Sequence, residues 1–403
     1  MSGGQRRAQG LAAGLSFNVL LLGFVSLLTD LSSEMIFPLM PFFIVSAEIG
    51  GTALILGIFE GSRESTSSLL KVFSGHWSDK LGRRKGLVMA GYGVSGIMKS
   101  AIPFVQSWPQ LLGVGVGERA GKGLRDAPRD AILADASPVA KRGKVFGFHR
   151  LADTAGAVLG PLVAFVLLDH YGLPFREIFL IAVVPALLSA LLTSFILERP
   201  KRKAAVPSLR VSFSSLSREL RLFIIISTTY SLGSFSVLFL LLRVIGVGLT
   251  QGTGILFYLA FNLVYALGAM PTGALSDTAG RAPVILIGYL LFAVMCLGFL
   301  LFSQNWQIFL LFLVFGLSFA FVNGVERAFV ADLSPEELRA TALGTYHTLS
   351  GLAKFPASAM AGLLWLYSPI WTFSYGLAFS LLASVMLAAF MFRLGLGHGG
   401  VSN

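Results

Sequence analysis

Gly75-His-Trp-Ser-Asp79-Lys-Leu-Gly82-Arg83-Arg84-Lys85 is a short basic turn between two long apolar stretches, and the chain uses it twice. Gly75, Asp79, Gly82 and Arg83 return as Gly273, Asp277, Gly280 and Arg281, each shifted by 198 positions. A second turn repeats in the same way: Ala131, Asp135, Pro138, Arg142 and Gly147 match Ala328, Asp332, Pro335, Arg339 and Gly344, all shifted by 197. Agreement at nine positions in two separate turns makes the halves parallel repeats. In a membrane protein this arrangement places a substrate site between the halves near the bilayer midplane.

Outward from these turns, apolar stretches run over about 15–46, 52–75, 85–105, 109–134, 144–168, 174–197, 222–246, 252–274, 283–303, 306–331, 340–367 and 370–393. Of the 403 residues 55% are hydrophobic and 13% charged, against about 25% charged in an ordinary soluble domain. Mean hydropathy is +0.77. A soluble enzyme lacks a surface on these terms. At about 20 residues per crossing, twelve helices use roughly 240 residues. The expectation is an all-α membrane protein of twelve transmembrane helices in two pseudo-symmetric six-helix bundles, 1–197 and 222–403, joined by a linker over 198–221.

The formal charge is +11, from 31 Lys and Arg against 20 Asp and Glu. In a soluble chain that balance would suggest nucleic acid; in an apolar chain it marks loops held on the inner side. With the N-terminus inside, nineteen Lys and Arg fall in inner segments and Arg176 alone in an outer loop. Both termini are therefore expected in the cytoplasm of a cell inner (plasma) membrane protein, with lipid as a partner and nucleic acid excluded. Arg6 and Arg7 precede an apolar run that continues past Val45, which reads as a retained first span, not a cleaved signal. Cys296 is the only cysteine, so no intramolecular disulfide forms. In the linker, Phe213, Leu216, Leu220 and Phe223 recur at helical spacing beside Arg218 and Arg221, which suggests a helix on the inner membrane surface. A flexible linker is the other reading.

The Gly75–Lys85 turn resembles the signature loop between helices 2 and 3 of the major facilitator superfamily, and span number and repeat carry the resemblance over nearly the whole chain. Physically, Gly75 and Gly82 allow a tight turn, Asp79 can cap a helix or pair with an Arg, and Arg83 to Lys85 anchor to the anionic inner leaflet. The resemblance implies a secondary transporter that rocks two halves, with this loop latching the outward-facing state. The gating set is then Gly75, Asp79, Gly82 and Arg83, joined by Arg129 and Asp130 and by the repeat copy at Asp277. An ordinary charged turn is the alternative. Gly156-Ala-Val-Leu-Gly160-Pro161 is similar to the span 5 motif of family antiporters, with Ala164 and Phe165 where its closing glycines would be; a generic packing face gives the same pattern. Pro38-Leu-Met-Pro41 has the proline spacing of exporter-like members.

Charge inside lipid is costly and faces a cavity or a partner. Asp30 and Glu34 share a face of span 1, as do Glu60 and Glu64 of span 2 with Arg63 beside them. With Arg119 and Asp153 they form the expected proton-coupling set; fixed salt bridges are the alternative. Span 4 holds Glu118, Arg119, Lys122, Arg125, Asp126, Arg129 and Asp130. Arg119-Ala-Gly-Lys122-Gly123 resembles the family's span 4 motif, in which an Arg is implicated in proton movement. Its expected partners are Asp30, Glu34, Glu60 and Glu64. Lys122 stands where that motif has Gln. His149 and His347 read as hydrogen-bonded residues at helix ends. The substrate cavity is expected to take Arg119, Lys122, Tyr230, Tyr258, Asn262, Tyr265 and Asn323, with coupling mainly in the first half and substrate packing in the second.

Other chemistry finds no foothold. Gly115-Val-Gly117-Glu-Arg-Ala120 fits a dinucleotide fingerprint only formally, inside an apolar helix. Gly121-Lys122-Gly123 lacks the remainder of a phosphate loop. No His/Glu pair, Cys cluster or nucleophile elbow is present, so neither enzyme activity, metal nor cofactor is expected. The function reading is proton-coupled export of a small compound, amphipathic or not, by a monomer whose partners are that substrate and protons. The alternatives are proton-coupled uptake of a polar solute such as a sugar or organic anion and, from another class, a non-transporting receptor or lipid-handling protein.

Overall fold

The structure, a computed structural model, describes residues 16–81, 83–136, 142–198, 213, 216–335 and 338–393. Regular structure among these residues is helical throughout. The helices are α1 Phe17–Ile36, α2 Met40–Ile44, α3 Ala53–Leu81, α4 Lys85–Ala101, α5 Trp108–Asp135, α6 Arg142–Phe165, α7 Phe175–Leu192, α8 Arg218–Gly233, α9 Val237–Gly246, α10 Gln251–Ala279, α11 Arg281–Leu301, α12 Asn305–Asp332, α13 Arg339–Tyr367 and α14 Pro369–Arg393.

Prolines and serines explain the short pieces. Pro38 sits in a 3₁₀ turn over Phe37–Leu39 and Pro41 opens α2, since proline fits a first turn but not a helix interior; the rod as a whole runs Phe17–Ile44. A second rod, Arg218–Gly246, is interrupted between Gly233 and Val237. Ser217 and Ser236 cap its two helices, accepting from Leu220 N at 3.2 Å and Leu238 N at 3.3 Å. Among the described residues ten helices are long and apolar enough to cross a membrane. The two remaining expected spans are α3, of 29 residues, and α5, of 28. They have the length and miss the apolar criterion because they carry the charge.

The chain forms two compact units that do not follow the repeat boundary. One comprises Met1–Phe37 with Leu70–Pro207, the other Pro38–Leu69 with Ser208–Asn403. Residues 38–69, at the C-terminal end of span 1 and in the first part of span 2, belong to the second unit, on the other side of the division expected at 198–221. Small residues account for it. A Cβ on Gly61 of α3 would lie 2.8 Å from Phe355 Cα of α13, and one on Gly57 would collide with Ser358 O. Ser65 Oγ donates to Gly351 O at 2.8 Å on the same seam.

In the first unit the close crossing is α1 on α6. A Cβ on Gly156 would lie 2.6 Å from Leu27 O and 2.9 Å from Asp30 Cβ; one on Gly160 would lie 2.6 Å from Glu34 Cβ. The two glycines of the span 5 motif are therefore the surface on which Asp30 and Glu34 rest. An apolar core of Val19, Leu22, Val25, Val88, Leu133 and Ile196 closes this unit around Tyr92.

Of the linker, residues 199–212 and 214–215 lie outside the described residues, so the surface-helix reading is not addressed there. Leu220 and Phe223 belong to α8 and are buried, as is Leu216; Phe213 is exposed.

Candidate functional site

Two polar constellations sit in otherwise apolar helices. The first, in the first unit, centres on Asp30 and Asp153. Ser26 Oγ donates to Asp153 Oδ1, and His149 Nδ1 faces Asp153 Oδ2 at 3.5 Å. The charges acting on Asp30 are Asp153, Lys122, Arg125 and Arg129. Asp30 and Asp153 are thus neighbours in charge, brought together from α1 and α6 by the glycine crossing. Both histidines depart from expectation: His149 and His347 lie inside α6 and α13 rather than at helix ends. His149 Nε2 finds no hydrogen-bond partner among the described residues.

Span 4 charge is organised by packing against α4. Gly121 allows α5 to meet α4, where a Cβ would lie 2.6 Å from Gly91 O. Next to that contact Arg125 stacks on the Tyr92 ring, 4.2 Å from its centroid. Glu118 Oε1 accepts from Ser95 Oγ at 3.1 Å, and Arg119 Nε lies 3.7 Å from Glu118 Oε2. Glu118 was not among the partners expected for Arg119; the sequence signal was simple adjacency, which helical geometry makes a weak guide. Asp126 faces Arg129 at 3.8 Å and Lys71 at 3.9 Å, while Arg129 pairs with Asp130 at 2.9 Å. Lys99 of span 3, absent from the expected set, donates to Ser33 Oγ at 2.7 Å and Thr29 O at 3.3 Å.

The second constellation is a cavity of about 260 Å³ in the second unit. Tyr230, Tyr265 and Asn323 line it, and Glu64 joins them from α3. Tyr258 and Asn262 do not line it. Tyr258 is two turns nearer the N-terminal end of α10, about 10 Å from Tyr265 along the axis, and stacks on Phe261 at 5.8 Å between centroids. Asn262 Nδ2 is buried without a hydrogen-bond partner among the described residues. Arg119 and Lys122 belong to the first unit and do not line this cavity.

Two charges of the second half, visible in the sequence but given no role in the expected site, are the most telling. Glu326 of α12 is 4% exposed and accepts from Tyr289 OH, from Tyr346 OH at 2.6 Å and from Ser227 Oγ at 2.9 Å. Four helices thus converge on one carboxylate. Lys354 of α13 donates to Ser234 Oγ at 3.5 Å, and Ser234 lies in the break between α8 and α9. Broken helices at binding sites offer backbone and hydroxyl groups to a ligand. Glu60, on one helix face with Glu64, binds Arg63 at 2.7 Å, with Arg63 over the Phe59 ring.

Of the gating set, Gly82 and the Asp79 side chain lie outside the described residues. Around them Arg84 Nη1 bonds Asp135 Oδ2, and Glu198 accepts from the backbone of Arg84 and, at 3.2 Å, of Lys85. The repeat copy is complete: Arg281 binds Asp277 at 2.6 Å and Asp332 at 3.0 Å.

Comparison with known proteins supplies the family. The Major Facilitator Superfamily model matches residues 22–261 and 222–399. An uncharacterized MFS-type transporter of Methanocaldococcus jannaschii is 39% identical over 379 residues, 93% of this chain and 94% of that protein. The multidrug resistance protein MdtH of Cronobacter sakazakii is 30% identical over 174 residues, 42% of this chain and 40% of that one. The crystal structure of the nucleoside transporter NupG has the same fold, with a TM-score of 0.76 at 16% identity over 94% of this chain and 99% of that one. A charged turn repeated in both halves, membrane-length helices around buried ion pairs, and these matches lead to one conclusion: the chain belongs to the major facilitator superfamily and is a membrane transporter, not an enzyme.

Proposed function

We propose that this chain is a proton-coupled secondary active transporter that exports a small compound across the inner membrane. Twelve spans form two six-helix repeats, 1–197 and 222–403, with both termini cytoplasmic, and the protein works as a monomer. The observation that carries the reading is the carboxylates Asp30 and Asp153, on helices that cross closely at Gly156, with the charge of Asp153 acting on Asp30 and with Ser26 and His149 as partners of Asp153. Ionisable groups so placed serve proton relays. Movement of α1 against α6 changes the spacing of the pair, and with it the affinity for a proton.

Export is favoured over uptake by the span 5 glycines, which resemble the antiporter motif and pack directly on Asp30 and Glu34, and by similarity to a multidrug resistance protein. The second-unit cavity, with Tyr230, Tyr265, Asn323, Glu326 and Lys354, is the substrate site in this reading. The Arg281–Asp277–Asp332 set and its counterpart around Arg84 act as gates.

The test is proteoliposomes loaded with a pH-sensitive dye and challenged with a compound panel. Antiport predicts proton efflux from the lumen when a transported compound is added outside. Co-movement of proton and compound would make the protein a symporter, and no compound-dependent proton movement would remove proton coupling.

A further inference from the structure

We propose that the second-unit cavity recognises a small polar solute through a carboxylate group, and that Lys354 is the residue that binds it; the inference rests on that cavity being the substrate site. An ammonium has three donors. Among the described residues Lys354 uses one, in a long bond of 3.5 Å to Ser234 Oγ. The charges that act on it are Glu64, Glu326 and Glu60, yet none of these three forms an ion pair with it. Glu326 is taken by three hydroxyl donors, and Glu60 by Arg63. Lys354 is therefore a cation balanced at a distance, on the wall of a cavity, with donors to spare.

Three classes of ligand respond differently to that wall. A carboxylate forms charge-assisted hydrogen bonds with Lys354, stronger than those of a neutral oxygen, and supplies the partner a buried cation needs. A neutral polyol gains only ordinary hydrogen bonds. A lipophilic cation meets like charge at Lys354 and at Arg327, which also lines the cavity, amid a lining rich in serine and tyrosine hydroxyls, while Glu326 is already occupied by three hydroxyl donors. Size points the same way, because about 260 Å³ lies under the roughly 300–1,000 Å³ of pockets for drug-sized ligands. Amino acids and short organic acids both carry the carboxylate and both fall within the class.

The purified full chain in detergent is tested by thermal unfolding with three probe groups: free amino acids and short dicarboxylates, neutral monosaccharides, and tetraphenylphosphonium. A carboxylate probe is expected to raise the melting temperature. Its methyl ester on the native protein, and Lys354→Gln with the parent probe, should each weaken binding by about tenfold or more, while Lys354→Arg retains most of it. The ester comparison stands even where Lys354→Gln fails to fold. Stabilisation confined to sugars or tetraphenylphosphonium, no response to any carboxylate probe, or affinity unchanged by both esterification and Lys354→Gln would overturn the assignment. Lys354-dependent carboxylate binding without proton-linked flux would keep this inference and remove the proton-coupling reading. Proton-linked flux of a neutral or cationic solute would do the reverse.

Discussion

Where α4 crosses α5, Gly91 and Gly121 bring two backbones together, and where α11 crosses α12, 197 positions later, Gly288 and Ser318 do the same. Gly91 faces Arg125 Cβ and Gly288 faces Val322 Cγ2, in each case 2.6 Å from where a Cβ would stand. In the second crossing Ser318 Oγ donates to Gly288 O at 2.8 Å. The backbone geometry is shared, but the side chains have diverged. Ser95, Lys99, Glu118, Lys122 and Arg129 correspond to Phe292, Cys296, Phe315, Phe319 and Glu326. One crossing gathers charge; the other is an aromatic wall, with Phe315 and Phe319 at 4.8 Å between centroids, around one carboxylate. Tyr92 and Tyr289 hold equivalent positions, yet Tyr92 lies under a guanidinium and Tyr289 donates to Glu326. Close packing constrains backbones in a bilayer, so the repeat survives there, while the chemistry facing inward is free to specialise.

The largest effect is expected where the crossing permits no side chain. Gly121→Val would press branched carbon into Gly91 O and Ser95 N, both backbone, and should yield no monodisperse protein on size exclusion. Ser318→Ala, at the equivalent position, loses one hydrogen bond worth about 0.6 kcal/mol in a membrane and should lower the melting temperature only slightly. A well-folded Gly121→Val protein would break the comparison at its root.

A smaller difference is expected between Arg129→Gln and Glu326→Gln. Removing Arg129 takes the 2.9 Å partner from Asp130 and leaves Asp126 with Lys71, at 3.9 Å, at a cost of about 3 kcal/mol. Glu326→Gln keeps the shape and an acceptor oxygen and should cost about 1 kcal/mol. Equal losses of melting temperature would show that the two positions are energetically alike after all.

The smallest effects should also be the most symmetric. Ser74 Oγ donates to Gly123 O at 2.8 Å and Thr272 Oγ1 to Ala320 O at 2.9 Å, at matching repeat positions. Ser74→Ala and Thr272→Val should each cost about 0.6 kcal/mol. Unfolding midpoints that differ widely between them would mean that the repeat is no longer structural here.

Much of this architecture was legible in the sequence because membrane helices announce themselves by length and apolarity, and because the repeat keeps Gly, Asp and Arg at turns. The span 5 glycines were readable as a packing face, and Asp30, Asp153, Tyr230, Tyr265 and Asn323 fall in the constellations described. Glu326 and Lys354 were harder. Each is a single charge on a helix, and only tertiary packing places Ser227, Tyr289 and Tyr346 around one and Ser234 beside the other. The surroundings of Arg119 and Arg125 were not legible either, since only packing shows Glu118 beside one and the Tyr92 ring under the other.

The central claim is that proton coupling resides in the Asp30–Asp153 pair and substrate binding in the separate cavity of Tyr230, Glu326 and Lys354. It is tested most directly by comparing exchange with uphill accumulation in proteoliposomes, using the probe that stabilises the native protein. Asp153→Asn and Asp30→Asn should keep counterflow exchange of that probe while losing accumulation driven by an imposed pH gradient. Accumulation that persists undiminished in both variants would contradict the claim and place the proton elsewhere.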